Sequence, residues 1–435
     1  MLTYQQTLEF LYHLEIERMD LKLERVVEAL QCCGSPQQRF ATIHVAGTNG
    51  KGSTAAFLHS ILRTAGYRVG LFTSPHLIDF CERIRLGTRW ITKQEVIDGV
   101  AEIRAQVEPA RIHLTPFEMM TVLAFRAFAR TGMEIAVVEV GLGGRLDSTN
   151  VVLPLVSVIT GIGLDHQAYL GNTEQEIAYE KGGIIKPTIP VVIGHVSPES
   201  REVLLRIAAE RNSSAYLFNR DFAIHETPLD HAAYTGLHWH IPMLQLRLLG
   251  RFQYGNAATA LAALELVQPT FPVTVEQAAH GLRTTYWPGR LEVVSHLPLV
   301  ILDGAHNPQA LETLQAELHA LVRGKRVKLL FAVMRDKDWQ DMVPMLAQLA
   351  SEVVVTRVQQ ARAEDPAQLS AAFAPFCPVR IVADAIDACQ QLVASAQPDE
   401  AILIAGSLFL VGEVYPLFSP TVMMTKGTET SEERC

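Results

Sequence analysis

The chain has 435 residues, 49% hydrophobic and 19% charged, which excludes a disordered protein and exceeds what one core usually covers, so two domains are expected. A net charge of −9 excludes a general attraction to nucleic acid or to a membrane surface; neither is expected as a partner, and any anionic ligand must be held by a local site. The six cysteines, with no Cys-x-x-Cys pair and no zinc spacing, read as reduced thiols of a cytoplasmic protein, and no signal pattern or uninterrupted apolar span argues for export or membrane insertion.

In chain order, Leu8, Leu11, Tyr12 and Leu14 fall at helical spacing, and Met19 to Arg25 reads as an amphipathic helix start with solvated charges. The next stretch is the most informative. Thr42-Ile43-His44-Val45-Ala46 is a β-prone run, Gly47-Thr48-Asn49-Gly50-Lys51-Gly52-Ser53 is a glycine turn with one lysine and one hydroxyl, and Thr54, Phe57, Leu58, Ile61 and Leu62 open a helix. Strand, glycine turn and helix make a phosphate cradle, in which backbone N–H groups and the helix dipole face an anion and Lys51 adds a full charge. The spacing departs from the usual P-loop, because Gly47 lies four residues before Lys51 and Gly52 separates Lys51 from Ser53. A tight glycine turn with a surface lysine is the structural alternative.

After that helix, Arg68 to Phe72 reads as a short strand delivering Thr73-Ser74-Pro75-His76-Leu77 at its carboxyl end, where ligands sit in open α/β sheets. Ser74 is a metal ligand or a turn former; Asp79 to Arg85 reads as a polar loop whose Arg83 and Arg85 either hold a carboxylate or form a charged strand face. Phe117 to Arg130 is a helix with a capped start at Thr115-Pro116-Phe117-Glu118. Glu134 to Val140 is a buried strand in which Glu139 is the exception: a carboxylate there is costly unless compensated, by Mg²⁺ beside a phosphate cradle or by a salt bridge. Gly141-Leu142-Gly143-Gly144-Arg145 is no dinucleotide fingerprint, since Leu146 stands where glycine is needed, and reads instead as a close approach to a ligand. A strand at Leu155 to Thr160 leads to Asp165-His166, a metal or acid/base candidate, and Lys181 and Lys186 at a helix end are by default cations favoured by the dipole.

Residues 189–220 add a strand and a helix, Phe222 to Leu249 reads as antiparallel strands with turns at Pro228-Leu229-Asp230 and Thr235-Gly236, and Gly250 to Ala260 opens an alanine-rich helix with Asn256 as a default cap. Tyr286-Trp287-Pro288-Gly289-Arg290 is the candidate interdomain connection. Strands near 299–303, 326–333, 352–356, 379–382 and 401–405 then alternate with helices as a second parallel α/β domain, and the tail from Thr425 is polar and frayed. Asp303 and His306, at the end of that domain's first strand, point to a nucleotide held between domains. The fold class is α/β, and the chemistry suited to these groups is metal-assisted phosphoryl transfer with ATP and Mg²⁺.

The combination resembles one family. Gly47 to Ser53, Ser74-Pro75-His76-Leu77 with Glu82-Arg83-Ile84, Glu139 to Asp147, Gly163-Leu164-Asp165-His166, Glu180-Lys181, Asn256-Ala257-Ala258-Thr259-Ala260 and Asp303-Gly304-Ala305-His306-Asn307-Pro308 are similar, in family order over nearly the whole chain, to the folylpolyglutamate synthase/dihydrofolate synthase branch of the Mur ligase superfamily. The resemblance implies a P-loop-type central-sheet ATPase domain over residues 1–288 and a smaller Rossmann-like ligase domain over 289–435. It implies an ATP-dependent ligase joining L-glutamate to folates, to dihydropteroate or to both through an acyl phosphate, with small molecules as its substrates; a monomer is expected, although the sequence itself leaves the oligomeric state open. By similarity, Asn49, Gly50, Lys51, Gly52 and Ser53 hold the ATP phosphates, Ser74 and Glu139 bind one Mg²⁺, and His166 helps bind a second. Asn256, Arg290 and Asp303 match nucleotide contacts. Lys51, His166, Lys181 and His306 are the expected catalytic groups, with Lys181 matching a carbamylated lysine. Lys22, Arg25, Arg83, Thr115, Phe117, Glu118, Leu146, Asp147 and Ser148 are the expected substrate contacts. The chain departs from the family at Cys81, Gly183 and Phe252, where asparagine, alanine and histidine are usual; Cys81 touches the folate loop and leaves pterin specificity open. A peptidoglycan-precursor ligase would carry Thr or Ser directly after the cradle lysine, and a nucleotide-binding protein without turnover would leave Glu139, His166 and Lys181 without a purpose.

Overall fold

The computed structural model describes residues 2–14, 22–226 and 232–418. The expected helix start at Met19 to Leu21, the turn at Pro228-Leu229-Asp230 and the tail from Thr425 lie outside them. Contacts divide the chain into Met1–Trp287 and Pro288–Cys435, and each unit is built around its own sheet.

The first unit contains α1 (Tyr4–His13), α2 (Glu24–Cys32), β1 (Ala41–Ala46), α3 (Lys51–Thr64), β2 (Val69–Phe72), β3 (Ile84–Leu86), β4 (Arg89–Trp90), α4 (Lys93–Val107), α5 (Pro116–Arg130), β5 (Ile135–Glu139), β6 (Val156–Gly161), α6 (Gln167–Leu170), α7 (Glu174–Gly182), β7 (Val191–His195), α8 (Pro198–Glu210), β8 (Ala215–Leu217), β9 (Ala223–Glu226), β10 (Ala232–Thr235), β11 (His240–Leu244), α9 (Phe252–Val267) and α10 (Val275–Thr284). The large sheet has the order β4-β3-β2-β5-β1-β6-β7-β8, and β9 to β11 form a small antiparallel sheet. The central strands are parallel and buried on both faces, which is why they read as unbroken apolar runs. Ile43, Val45, Leu71 and Val137 face α3, α9 and α10, whereas Phe72, Val138 and Ile84 face α1, α2, α4 and α5.

One expectation changes here, and two helices are added. Asp79 to Arg85 is not a loop: Phe80–Arg83 is a 3₁₀ turn, and β3 pairs antiparallel with β2. β3 is too short for its alternation to register in the sequence. α4 and α10, which periodicity did not single out, both start at full capping boxes, Thr92 with Glu95 and Thr274 with Gln277.

The second unit contains β12 (Glu292–His296), β13 (Leu299–Leu302), α11 (Pro308–Val322), β14 (Arg326–Phe331), α12 (Trp339–Leu349), β15 (Ala350–Arg357), α13 (Pro366–Phe373), β16 (Val379–Asp384), α14 (Ala385–Ser395), β17 (Glu400–Ala405) and α15 (Leu408–Val414). Its sheet order is β12-β13-β17-β14-β15-β16. The expected strands are parallel, but β12 adds an antiparallel edge, so the sheet is mixed. No helix among the described residues is long and apolar enough to cross a membrane.

Candidate functional site

β2, β5, β1 and β6 are neighbours in the large sheet, so groups scattered from Ser74 to His166 in sequence issue from adjacent carboxyl strand ends. β1 feeds the cradle, and β6 clamps it: Thr48 N–H donates to Gly161 O at 2.7 Å, Thr48 Oγ1 donates to Gly163 O at 3.0 Å, and Thr160 Oγ1 donates to Asn49 O at 2.7 Å. Gly50 opens α3 with φ of 84°, and Asn256 Oδ1 stands 2.4 Å from where a Cβ would be. Asn256 is therefore not a cap. It lies inside α9, its Nδ2 donates to Gln253 Oε1 at 3.0 Å, and its amide rests on the cradle. A Cβ on Gly52 would meet the Trp287 ring at 2.8 Å, which gives glycine at this position a steric reason. Ser53 is buried in the first turn of α3.

Lys51 Nζ donates to Gly47 O at 2.9 Å and Thr48 O at 3.0 Å. Lys181 Nζ, from the last turn of α7, donates to the same Gly47 O at 2.9 Å. Lys181 is thus no solvated helix-end cation: it is buried, and burial first, the Lys51 charge second, push its pKa down to about 7, against the pull of Asp165 and Asp147. An amine poised there is largely neutral in mildly alkaline solution, the form that reacts as a nucleophile.

Glu139 ends β5, paired in register with Val45, and is only 4% exposed. Its carboxylate accepts the Ser74 N–H at 3.1 Å and lies in the field of the buried Arg83 guanidinium. Arg83 Nε donates to His76 Nδ1 at 2.8 Å, which requires a neutral ring; burial and then the Arg83 charge push His76 down to about 3. His166 N–H donates to Asp165 Oδ1 at 2.9 Å, and its Nε2 lies 3.9 Å from the same oxygen. Among the described residues no three His, Cys, Asp or Glu side chains form a ready-made metal cluster. The oxygen donors Ser74 and Glu139 at the strand ends are hard ligands of the kind that suit Mg²⁺ completed by phosphate and water.

The expected substrate contacts are more structural in their bonding. Arg25 Nη2 donates to Glu118 Oε1 at 3.0 Å, and Glu118 Oε2 accepts the Thr115 N–H at 2.7 Å, so the pair ties α2 to the start of α5. Asp147 Oδ2 accepts the Gly141 and Leu142 N–H groups at 3.0 and 2.9 Å, and its Oδ1 accepts from Thr149; burial pushes its pKa up. Ser148 Oγ meets Thr121 Oγ1 at 2.7 Å. Phe117 stacks on Phe72 with centroids 5.8 Å apart, Leu146 is half-buried, and Lys22 is exposed just before α2. Cys81 is buried beside Tyr4, whose hydroxyl lies 3.4 Å from Sγ.

In the second unit, Asp303 follows β13; its oxygens accept the Leu291 and Ala305 N–H groups, each at 2.7 Å. Burial raises its pKa and the Arg290 charge opposes that. His306 Nδ1 lies 2.8 Å from Gly304 O, which places the proton on Nδ1. The structure also brings in groups that the sequence did not reveal: the Thr48 and Thr160 hydroxyls, Gln253 and Trp287. Only Thr160, a hydroxyl closing a strand before Gly161-Ile162-Gly163, carried a local signal.

Residues 45–264 match the Mur ligase middle domain, and residues 289–408 match the Mur ligase glutamate ligase domain. The chain is 35% identical over 404 residues to the folylpolyglutamate synthase of Lacticaseibacillus casei, covering 90% of this chain and 92% of that protein. It is equally 35% identical over 404 residues to the dihydrofolate synthase/folylpolyglutamate synthase of Bacillus subtilis, covering 90% and 94%. The solved structure of Escherichia coli FolC in complex with DHPP and ADP superposes with a TM-score of 0.89 at 31% identity, covering 98% of this chain and 99% of that one. The matched spans take in the cradle, Glu139, Lys181 and the Asp303 turn, and the chain belongs to the folylpolyglutamate synthase/dihydrofolate synthase family of Mur ligases, ATP-dependent enzymes that add glutamate in folate metabolism.

Proposed function

We propose that the protein uses ATP to activate a carboxylate of dihydropteroate or of a reduced folate and joins it to L-glutamate. A carboxylate is a poor electrophile. Transfer of the γ-phosphoryl group to its oxygen yields an acyl phosphate and ADP; the glutamate amine then attacks the carbonyl carbon, a C–N bond forms, the C–O bond to phosphate breaks, and the amine proton is lost. The observation that carries this reading is that Lys51 and Lys181 share Gly47 O in the turn after β1, while Glu139 ends the adjacent strand β5. Likeness to a structure holding ADP and DHPP supports the nucleotide and the pterin-type acceptor.

In this reading Asn49 to Ser53 cradle the phosphates, with Lys51 leaving the loop carbonyls for the γ-phosphoryl oxygens; Asn256 is a nucleotide contact of the first unit, and Arg290 and Asp303 are nucleotide contacts of the second. Ser74 and Glu139 would hold one Mg²⁺ and His166 a second, and the ions supply neutralisation of polyphosphate charge. Lys181 is carbamylated, its buried amine being neutral enough to react with carbon dioxide. Phe117 and Leu146 face the acceptor, while Arg25, Arg83, Thr115, Glu118, Asp147 and Ser148 shape its walls. The first unit is the ATP-binding domain and the second the ligase domain; the protein is a monomer of the cytoplasm, in keeping with the free thiols at Cys32, Cys33, Cys81, Cys377 and Cys389.

Incubation with ATP, Mg²⁺, radiolabelled glutamate and either dihydropteroate or tetrahydrofolate tests the reading. Label is expected in at least one acceptor, and comparing the two fixes the preference; no labelled product with either would sink the assignment. Electron density beyond Lys181 Nζ at neutral pH is expected, and a bare amine would count against the carbamate.

A further inference from the structure

His44 sits in the middle of β1, fully buried between β5 and β6, and the reading of the site gives it no role. Its Nε2 lies 2.9 Å from Thr149 Oγ1. The Thr149 hydroxyl in turn donates to Asp147 Oδ1, which also accepts the Thr149 N–H at 2.9 Å. With its one proton spent on the carboxylate, Thr149 Oγ1 can only accept from the ring, so His44 is the neutral tautomer with the proton on Nε2. The other ring nitrogen, Nδ1, is buried without a hydrogen-bond partner. A buried orphan acceptor in a central strand is a cost that an apolar residue would avoid.

The far end of the chain of bonds shows what that cost maintains. Asp147 Oδ2 gathers the Gly141 and Leu142 N–H groups. These are the residues that leave β5 just beyond Glu139. The same turn is held on its other side by the end of α7: Arg145 N–H donates to Glu180 O at 2.7 Å, and Arg145 Nη2 pairs with Glu180 Oε1 at 2.8 Å, next to Lys181. The turn therefore lies between the two groups that must keep register with the cradle.

We propose that His44 is a positioning residue for the ligase reaction: through Thr149 it holds the Asp147 carboxylate, and through Asp147 the turn that sets Glu139 and Lys181 relative to each other. The proposal rests on the ligase reading of the site. His44 touches no substrate, and its influence runs entirely through the ring N–H, so a side chain that restores an N–H at the same reach restores the function.

The test compares full-length His44→Gln, His44→Leu and Thr149→Val with the parent in steady-state phosphate release and in hydrogen exchange of the peptide covering residues 140–150. Gln offers an amide N–H near the position of Nε2, whereas Leu offers none. His44→Leu and Thr149→Val should each lower kcat about tenfold with KM for ATP within about threefold, and the double variant should be no worse than either, because one chain of bonds is cut once. Exchange at Gly141 and Leu142 should speed up in both, and His44→Gln should restore both readouts. Parent-like kcat in a folded His44→Leu or Thr149→Val, multiplicative losses in the double variant, or unchanged exchange would overturn the proposal. If His44→Leu does not fold, Thr149→Val and His44→Gln decide alone. A parent with no turnover but with exchange that responds as described would sink the ligase reading and leave the bond chain standing.

Discussion

Gly47 O accepts from Lys51 Nζ and from Lys181 Nζ, so the cradle's first carbonyl is tied to both side chains. Removing Lys51 takes away the cation that would follow the transferred phosphoryl group, and removing Glu139 takes away the buried anion at the neighbouring strand end. Lys51→Ala and Glu139→Ala should each lower ATP-linked phosphate release by at least about 100-fold with an unchanged circular dichroism spectrum; near-parent turnover in either would show its role misassigned. Gly52 carries a different kind of constraint. A methyl group there meets the Trp287 ring at 2.8 Å and must displace it or the first turn of α3. Gly52→Ala should weaken ADP binding about tenfold by calorimetry, roughly 1.4 kcal/mol, and trimming the ring with Trp287→Leu should recover part of the loss.

At the scale of elements, α9 links the cradle to the small antiparallel sheet. Gln253 and Asn256 lie at its cradle end, and Glu265, 4% exposed, lies at the other. Glu265 accepts the Tyr234 hydroxyl at 2.6 Å and the Leu237 and Trp239 N–H groups at 3.2 and 2.8 Å, together with the His238 N–H. The β10–β11 turn is thereby pinned to the helix by one carboxylate. Glu265→Ala strands these donors and should cost about 3 kcal/mol or more, read as a lowered urea midpoint. A loss under about 1 kcal/mol would mean that water satisfies the turn.

For the whole molecule, buried neutral histidines set the acid limit. Burial, aided by nearby cations, pushes the fully buried His44 and His59 and the half-buried His76 each down to about 3. In the unfolded chain they titrate near 6.5. Between pH 6.5 and 3 the unfolded state takes up protons that the folded state refuses, so stability is complete above 6.5 and falls as the pH drops. The slope is about 1.4 kcal/mol per pH unit for each ring. Urea unfolding at pH 7.5, 5.5 and 4.5 should show this fall, and His59→Gln should make it shallower; a level profile would contradict the buried neutral state.

Sequence by itself determined the local units of this protein. Apolar runs specified the central strands, the glycine turn specified the cradle, the helix from Pro116 was legible from its threonine cap and Glu118, and the order of motifs specified the family. These signals are local, because backbone geometry and burial of one face are decided within a few residues. Tertiary structure alone decided which ends meet. Nothing between Ser74 and His166 in the chain states that β2, β5, β1 and β6 lie side by side, and only that order puts Glu139 and the cradle at one edge. It also decided the states of the groups. Lys181 reads as a helix-end cation until burial and Lys51 lower its pKa, and Asn256 reads as a cap until α9 lays its amide on Gly50. Asp147 enters as a substrate contact only through the resemblance, and no local pattern announces that its oxygens also hold the Gly141 and Leu142 turn. Charge, tautomer and contact depend on neighbours distant in sequence, which is why the chemistry of the site was only partly legible before the fold brought them together.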